Sequence, residues 1–166
     1  MSKAVLISIR PEWVQKIGEG KKTTEVRKTR PKLIPPFKCY IYCTLPRKNK
    51  SHVMCLSIYD DDGETMEMNG KVVGEFTCNK ITNLFSNSLF WLDEDDVFQT
   101  CLPAAEIRKY AYGANGLYGW HISELEIYDT PKPLSEFTGL RTKRDSMELY
   151  ILDRPPQSWC YVEGLQ

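Results

Sequence analysis

Hydrophobic and polar residues alternate along several short stretches of this chain, which is the pattern of half-buried β-strands. Alternation in Lys3–Arg10 and Tyr118–Tyr128, and the aromatic and β-branched residues of Lys38–Thr44, predict three strands. Further strands are predicted at His52–Tyr59, Lys71–Ile81 and Trp159–Val162. The pattern therefore predicts more strand than helix, with short turn-like segments between the strands.

Two stretches carry helical spacing instead. Pro11 suits the first position of a short helix that ends near Gly18, because a missing N–H costs nothing there. The second stretch is 92–112, where Asp93 is a candidate N-cap and Pro103 predicts a break into two helices. The carboxylates that follow the cap splay over different helix faces, so a solvated helix start is favoured over a metal site.

Turn signals organise the rest of the chain. Asn69-Gly70 and the acidic turn before it predict that residues 46–70 form a hairpin inserted into the core fold. Residues 130–137 are predicted to be a turn, and 141–144 a basic loop. No linker or repeat interrupts the sequence, so we expect one domain over 1–166, of the α+β class, with strands forming a barrel and helices packed outside it.

Composition narrows the environment. The first apolar run is short and closed by Arg10 and Pro11, so no export signal is predicted, and no stretch reaches the roughly 20 apolar residues of a membrane span. We expect a cytoplasmic protein without a membrane partner. The six cysteines lack a Cys-x-x-Cys pair, so buried thiols are expected rather than disulfides or structural zinc. No cofactor is implied.

Charge is distributed unevenly although the net charge is zero. Residues 1–50 hold 13 Lys or Arg against 3 acids, and residues 51–166 hold 9 against 19. Such a split predicts a basic face for a polyanion. The alternative is that the two halves interleave in space and cancel.

The densest candidate chemistry lies in Gly20–Arg27. In an extended segment Glu25 and Arg27 share a face, so the carboxylate could hold the guanidinium for phosphate binding. Lys22 lies on the opposite face unless the chain turns before Glu25. The basic residues Lys28, Arg30 and Lys32 extend the same surface, and Arg10 could join it. The alternative is a surface ion pair that contributes little.

Other residues are weaker candidates. Tyr118 and Trp120 begin a strand beside glycines, where a base could stack, but Trp120 could equally be a core residue. Arg154 and Gln157 precede the last strand and could bind a ligand or cap a turn. His121 is predicted to be structural, and no Ser/His/Asp grouping or histidine pair supports hydrolytic or metal chemistry.

Three segments together resemble the ASCH domain family, a relative of the PUA fold. The first is Leu6–Arg27, which contains a Gly-x-Lys-x-x-Glu-x-Arg motif at Gly20, Lys22, Glu25 and Arg27. The second joins Cys39–Thr44 to Val72–Phe76, and the third, Arg154–Val162, is similar to the ending of a bacterial and phage subgroup. Their order covers nearly the whole chain, except 46–70 and 86–112.

The resemblance implies a β-barrel of about six strands whose basic cleft, lined by the first motif, receives RNA or a nucleotide. A few small members are amidohydrolases acting on acetylated cytidine, with a Gly-x-Lys-Thr-x-Thr-x-Arg motif. Here Lys22 matches the lysine, Thr23 the non-catalytic threonine and Arg27 the arginine, but Glu25 stands in the place of the nucleophilic threonine. That departure argues against the amidohydrolase activity.

Three hypotheses follow. The first is a binding module for RNA or a nucleotide, with a possible regulatory role. The second is a hydrolase acting on a modified nucleoside or RNA, resembling the acetylcytidine amidohydrolases or a ribonuclease, with Lys22 and Glu25 transferring protons. The third is a protein-interaction module that uses the 46–70 hairpin. Neither the natural ligand nor the oligomeric state follows from the sequence.

Overall fold

The computed structural model describes residues 2–45, 57–59, 62–86, 89–90, 92, 94–143 and 146–165. Within them the chain is mostly β, with a few short helices. The strands are β1 Lys3–Ile9, β2 Thr24–Arg27, β3 Phe37–Cys43, β4 Ser57–Tyr59, β5 Thr65–Glu67, β6 Val72–Ser86, β7 Leu89–Phe90, β8 Gly116–Lys132, β9 Thr138–Lys143, β10 Ser146–Ile151 and β11 Trp159–Glu163. The helices are α1 Pro11–Gly18, α2 Glu94–Thr100 and α3 Ala104–Ala111, with a 3₁₀ turn at Leu134–Glu136.

The chain divides into two compact units. Unit 1 comprises Met1–Gln15, Lys38–Phe76 and Leu125–Gln166, and unit 2 comprises Lys16–Phe37 and Thr77–Glu124. The long strands β6 and β8 run from one unit into the other. The expectation of a single domain over 1–166 stays a prediction.

Unit 1 contains a mixed sheet. Its strand order among the described residues is β10-β9-β11-β1-β3-β6-β8. β1 pairs in parallel with β3 and antiparallel with β11. Val5, Leu6 and Ile7 are all fully buried, so β1 is covered on both faces, as expected for a central strand with a parallel neighbour.

One core cluster of unit 1 combines aromatic and aliphatic side chains. It is formed by Ala4, Leu6, Tyr40, Tyr42, Val72, Tyr128, Phe137, Leu152 and Val162. The rings of Tyr40 and Phe137 meet edge to face with centroids 5.0 Å apart, a geometry that aromatic pairs prefer. Buried thiols act elsewhere as small apolar groups, at Cys39 and Cys43 in unit 1 and at Cys78 in unit 2. Burial raises the pKa of Cys43 to about 12, so this thiol stays protonated.

Unit 2 is built on the other ends of β6 and β8. β2 pairs antiparallel with β8, and β7 pairs with the end of β6. Helix α3 packs its buried residues Ile107 and Ala111 against the strands. The cluster they join is Val26, Leu84, Ile107, Ala111 and Leu117. This packing fixes the start of β8 and the whole of β2, which carry the candidate site.

Most of the predicted elements are present. α1 begins at Pro11, and Pro103 separates α2 from α3, as the pattern predicted. Asp93, the candidate cap, lies outside the described residues. The last strand, predicted at Trp159–Val162, is β11, which extends one residue further.

Two connecting segments were predicted wrongly. Residues 130–137 were expected to be a turn, but β8 continues to Lys132 before the 3₁₀ turn begins. In the predicted basic loop at 141–144, residues 141–143 are instead the end of β9, which pairs with β10, and residue 144 lies outside the described residues. Arg141 and Lys143 are exposed. Because exposed charged residues are also typical of loops, the composition of this strand resembled that of a loop.

The inserted hairpin is described only in part. β4 and β5 pair antiparallel around Gly63, whose positive φ of 79° suits a tight turn. Residues 46–56, 60 and 61 lie outside the described residues, so the hairpin over 46–70 stays a prediction. The described strands support the α+β class with a mixed sheet, while a barrel of about six strands stays an expectation from the resemblance. No helix of the described residues is long and apolar enough to cross a membrane.

Candidate functional site

The candidate site begins between the end of α1 and the start of β2. Gly20, at a positive φ of 70°, donates its N–H to the carbonyl of Ile17, and the amides of Lys21 and Lys22 both donate to the carbonyl of Lys16. A glycine tolerates this left-handed backbone, which closes helix ends. The chain thus turns before Thr24, where β2 begins.

This turn brings Lys22 to the side of Glu25. The Lys22 Nζ lies 3.3 Å from Glu25 Oε2, and Arg27 lies 3.0 Å from Glu25 Oε1. The pairing of Glu25 with Arg27 follows from the strand period, whereas the approach of Lys22 requires the turn. Glu25 therefore bridges two cations, and we call Lys22, Glu25 and Arg27 the Glu25 network.

The ammonium group of Lys22 is buried and hydrogen-bonded within the protein. Its side chain is only 2% exposed, and its ammonium donates to the carbonyls of Thr24 at 2.9 Å and Thr100 at 2.7 Å. With Glu25, these acceptors match the three donors of an ammonium. The Thr100 carbonyl ends α2, where the helix dipole favours a cation. Lys22 thus joins the motif to α2.

Further hydrogen bonds strengthen this junction. The Thr23 amide donates to the Gln99 carbonyl at 3.0 Å, and the Thr24 hydroxyl donates to Gln99 Oε1 at 3.1 Å. The position of α2 and the geometry of the motif are therefore fixed together. Gln99 and Thr100 were not singled out from the sequence, because only the fold brings a segment so distant along the chain to the motif.

His121 has a structural setting, as predicted. Its Nε2 lies 2.6 Å from the Thr82 hydroxyl, and its Nδ1 lies 3.4 Å from the Thr24 hydroxyl. Because Thr24 donates its proton to Gln99, its oxygen is left to accept from Nδ1–H, and Nε2 accepts from Thr82. Burial lowers the pKa of His121, with Lys80 acting in the same direction. A neutral imidazole therefore fits this chain of hydrogen bonds.

The outer part of the site combines arginine with tyrosine. Arg27 lies opposite Tyr118 in the β2–β8 register, and its side chain is 13% exposed. The exposed Arg30 places its Cζ 5.6 Å from the centroid of the Tyr118 ring. A Cβ at Gly116 would lie 2.8 Å from the Tyr118 hydroxyl, so the ring of Tyr118 packs closely against this glycine. We call Arg27, Arg30 and Tyr118 the arginine–tyrosine face.

Lys28 is exposed and lies beside a different aromatic ring from the one beside Arg30. Its Nζ lies 5.1 Å from the centroid of the Tyr110 ring, which α3 carries and which is 39% exposed. Tyr110 did not emerge from the sequence, since nothing in a helical tyrosine marks it as the partner of a lysine. Lys28 is thereby held beside an aromatic ring, at a distance that allows a cation–π contact.

Trp120 belongs to the core. It is fully buried and meets Phe37 edge to face, with centroids 6.0 Å apart. Of the two alternatives for this residue, the structure favours packing over base stacking. Trp120 lies opposite Glu25 in the strand register, so the two side chains project from the same face of the sheet.

The remaining candidates lie in unit 1. Arg10 is exposed after β1, and its carbonyl accepts the amides of Trp13 and Val14 at the start of α1. Arg154 and Gln157 are exposed between Leu152 and β11. Their part in ligand binding stays a prediction. Among the described residues, no three His, Cys, Asp or Glu side chains are grouped as metal ligands.

Comparison with known proteins identifies the architecture. No protein-family profile matches the chain, and no curated protein sequence matches it significantly. A solved structure does: the ASCH protein of Zymomonas mobilis, with 20% identity, a TM-score of 0.55, and coverage of 96% of this chain and 87% of that one. The chain has the fold of an ASCH domain.

Two further structures agree. A tyrosine-to-phenylalanine variant of the Zymomonas mobilis protein matches at 18% identity and a TM-score of 0.52, covering 98% of this chain and 91% of that one. A serine-to-alanine variant matches at 18% identity and a TM-score of 0.53, covering 96% and 88%. The resemblance inferred from the sequence is confirmed for the ASCH fold, and the bacterial and phage subgroup stays a prediction.

Proposed function

We propose that this chain binds RNA or a nucleotide, with phosphate held at the arginine–tyrosine face. The observation that carries the proposal is the Glu25 network, in which one carboxylate holds two cations. Its three groups together carry one net positive charge. An anion beside Arg27 therefore suits the local electrostatics of the site.

The network also prepares Arg27 for binding. A guanidinium held by Glu25 loses less conformational freedom when it binds a phosphate than a mobile one does. Lys22 keeps Glu25 in position from the inner side, through the carbonyls of Thr24 and Thr100. Lys22 is thus a positioning residue, and Arg27 with Arg30 would contact the phosphate.

Tyr118 supplies an aromatic surface. Its ring lies against Gly116 on one strand and beside Arg30. Stacking of a base on such a ring contributes about 1–3 kcal/mol in nucleic-acid complexes. A base on Tyr118 with its phosphate at the arginines would use both parts of the face. The fold of an ASCH domain agrees with an RNA-binding role, which the resemblance implied.

Titration of a fluorescein-labelled 12-nucleotide single-stranded RNA, followed by anisotropy, tests this proposal. We expect Arg27→Ala and Arg30→Ala each to weaken binding about tenfold and to reduce the salt slope by about 0.7 for each phosphate that the variant no longer binds. Competition with AMP distinguishes a nucleotide site from an RNA site. At equal concentrations of phosphate groups in AMP and in the RNA, AMP should displace the RNA probe from a nucleotide site but not from an RNA site.

Lys143→Ala is the matched control, because this exposed lysine on β9 lies outside the proposed face. It should leave the affinity within twofold. Equal affinities of the native protein, Arg27→Ala and Arg30→Ala would overturn the proposal.

The hydrolase alternative has weaker support in the geometry. Both carboxylate oxygens of Glu25 lie beside cations, and the Lys22 ammonium lies among three acceptors. This arrangement suits a rigid support rather than a pair that exchanges protons with a substrate. Turnover of acetylcytidine or RNA that Glu25→Gln abolishes would restore the enzymatic hypothesis.

A further inference from the structure

Unit 1 ends in an edge strand with an unusual outer composition. β10 is last in the strand order of the described residues and pairs there with β9 alone. Met147, Leu149 and Ile151 alternate along it and are 50%, 47% and 84% exposed. Three exposed apolar residues on one face of an edge strand offer a template for another strand.

Several features that commonly protect edge strands, namely proline, lysine and a bulge, are missing from β10. Its sequence, SMELYI, contains no proline or lysine, and its register with β9 runs without a bulge from Ser146 to Ile151. Natural edges are commonly blunted by such features. The charge of Glu148 is matched within the same hairpin by Arg141, with 2.9 Å between Nε and Oε2.

The opposite face of β10 is already used. Tyr150 packs against the core cluster of unit 1, and its ring fills the space above Gly139, where any Cβ would collide with it. This packing fixes the orientation of the strand. Met147, Leu149 and Ile151 therefore stay on the outer face.

We propose that β10 pairs antiparallel with β10 of a second copy of this chain, forming a two-fold dimer centred on Leu149. In this register Leu149 faces its own counterpart, Met147 faces Ile151, and Glu148 faces Tyr150. The apolar residues of both copies then form one continuous row on the same face. The sequence of β10 is self-complementary about this centre.

Charge selects this register over its neighbours. A pairing centred on Glu148 would place two carboxylates directly opposite each other, which is destabilising. A pairing centred on Tyr150 would set Met147 opposite Asp153. A shift of the pairing by one residue would place Leu149 opposite Glu148 or Tyr150 of the other copy. The apolar rows of the two copies would then lie on opposite faces of the sheet. The self-complementarity about Leu149 favours a second copy over a strand of an unrelated protein.

The pairing closes on itself, since each copy uses its β10 edge once and the interface is isologous. A strand this short buries less than the ~1,200 Å² of standard stable interfaces. We therefore expect a reversible dimer that forms as protein concentration rises. The mass should move from the 19.2 kDa of one chain toward twice that value.

Sedimentation velocity of the whole chain over a concentration series tests the proposal. We expect a monomer–dimer equilibrium for the native protein and its loss in Leu149→Lys, which would set two ammonium groups opposite each other. Ile151→Lys, at the most exposed of the three positions, should weaken dimerisation at least tenfold. Far-UV circular dichroism checks that both variants keep the native fold.

Phe98→Lys is the matched control, because this residue is 81% exposed but lies on α2 of unit 2. It should dimerise as the native protein does. A native protein that is monomeric at every concentration, oligomers larger than a dimer, or a dimer that survives both β10 variants would each overturn the proposal.

Hydrogen exchange gives a second readout that needs no variant. The amides of β10 should exchange more slowly at high than at low protein concentration. Concentration-independent exchange in β10, beside a dimer seen by sedimentation, would place the interface elsewhere and overturn this assignment.

Discussion

Each unit contains a glutamate that bridges two partners, and the lysine partner is buried in one unit but exposed in the other. In unit 2, Glu25 lies between Lys22 and Arg27. In unit 1, Glu75 accepts from the Tyr128 hydroxyl at 2.5 Å and pairs with Lys38. The Lys22 side chain is 2% exposed, whereas that of Lys38 is 45% exposed.

This difference separates two kinds of ion pair. Exposed pairs contribute about 0–1 kcal/mol because water already solvates both partners. A buried charge that loses a partner has no water to replace it, so removing one member of a buried pair is costly. The Glu25 network should therefore be essential to the fold of unit 2, while the Lys38–Glu75 pair is a minor contribution to unit 1.

The largest expected effect comes from Lys22→Met. The variant keeps an unbranched side chain but removes the donor to the Thr24 and Thr100 carbonyls and one cation beside Glu25. We expect the free energy of unfolding to fall by about 3–5 kcal/mol. Urea denaturation followed by circular dichroism measures this loss.

Lys21→Met is the control next to it in the chain. Lys21 is 68% exposed and pairs with Glu19 at the surface, so its loss should leave the unfolding midpoint unchanged. Equal effects of the two substitutions would show that the Glu25 network adds no more than a surface pair.

The contrast between these neighbouring lysines shows where sequence reasoning succeeds. The strand period places Glu25 and Arg27 on one face, and this is local information. Lys22 reaches Glu25 only because β2 begins at Thr24, and it is buried only because the carbonyl of Thr100 arrives from a distant helix. Burial of a lysine depends on such long-range partners, which no local pattern contains.

The β9–β10 hairpin shows the opposite difficulty. Arg141 and Lys143 face solvent, so the strand lacks the clean apolar alternation that a buried face imposes. β10 does alternate, but Met147, Leu149 and Ile151 are exposed, while its inward residues include Glu148 beside Tyr150. A row of apolar residues that faces solvent breaks the usual link between apolar and buried, so periodicity alone gives no orientation.

A smaller effect is expected from Tyr128→Phe in unit 1. Tyr128 is 9% exposed and donates to a carboxylate, and hydrogen bonds to charged groups contribute about 1.5–3 kcal/mol. We expect a loss in that range, below the loss for Lys22→Met, measured by the same denaturation. Tyr112→Phe, at an 88% exposed position, should change nothing, and a Tyr128→Phe protein as stable as the native one would remove Tyr128 from the comparison.

The smallest loss of stability is expected for Lys38→Met, and measuring it as a function of pH makes it detectable. Burial alone would raise the pKa of Glu75, but its bonds with Lys38 and Tyr128 lower it below the usual carboxyl value. Its stabilising contribution is therefore present above the pKa of the unfolded chain and is lost as pH falls through the folded pKa, since the unfolded state takes up the proton first.

At pH 7 we expect Lys38→Met to cost only about 0–1 kcal/mol. Denaturation between pH 3 and pH 6 should show a shallower loss of stability in this variant than in the native protein, whereas identical pH profiles would mean that Lys38 does not act through Glu75.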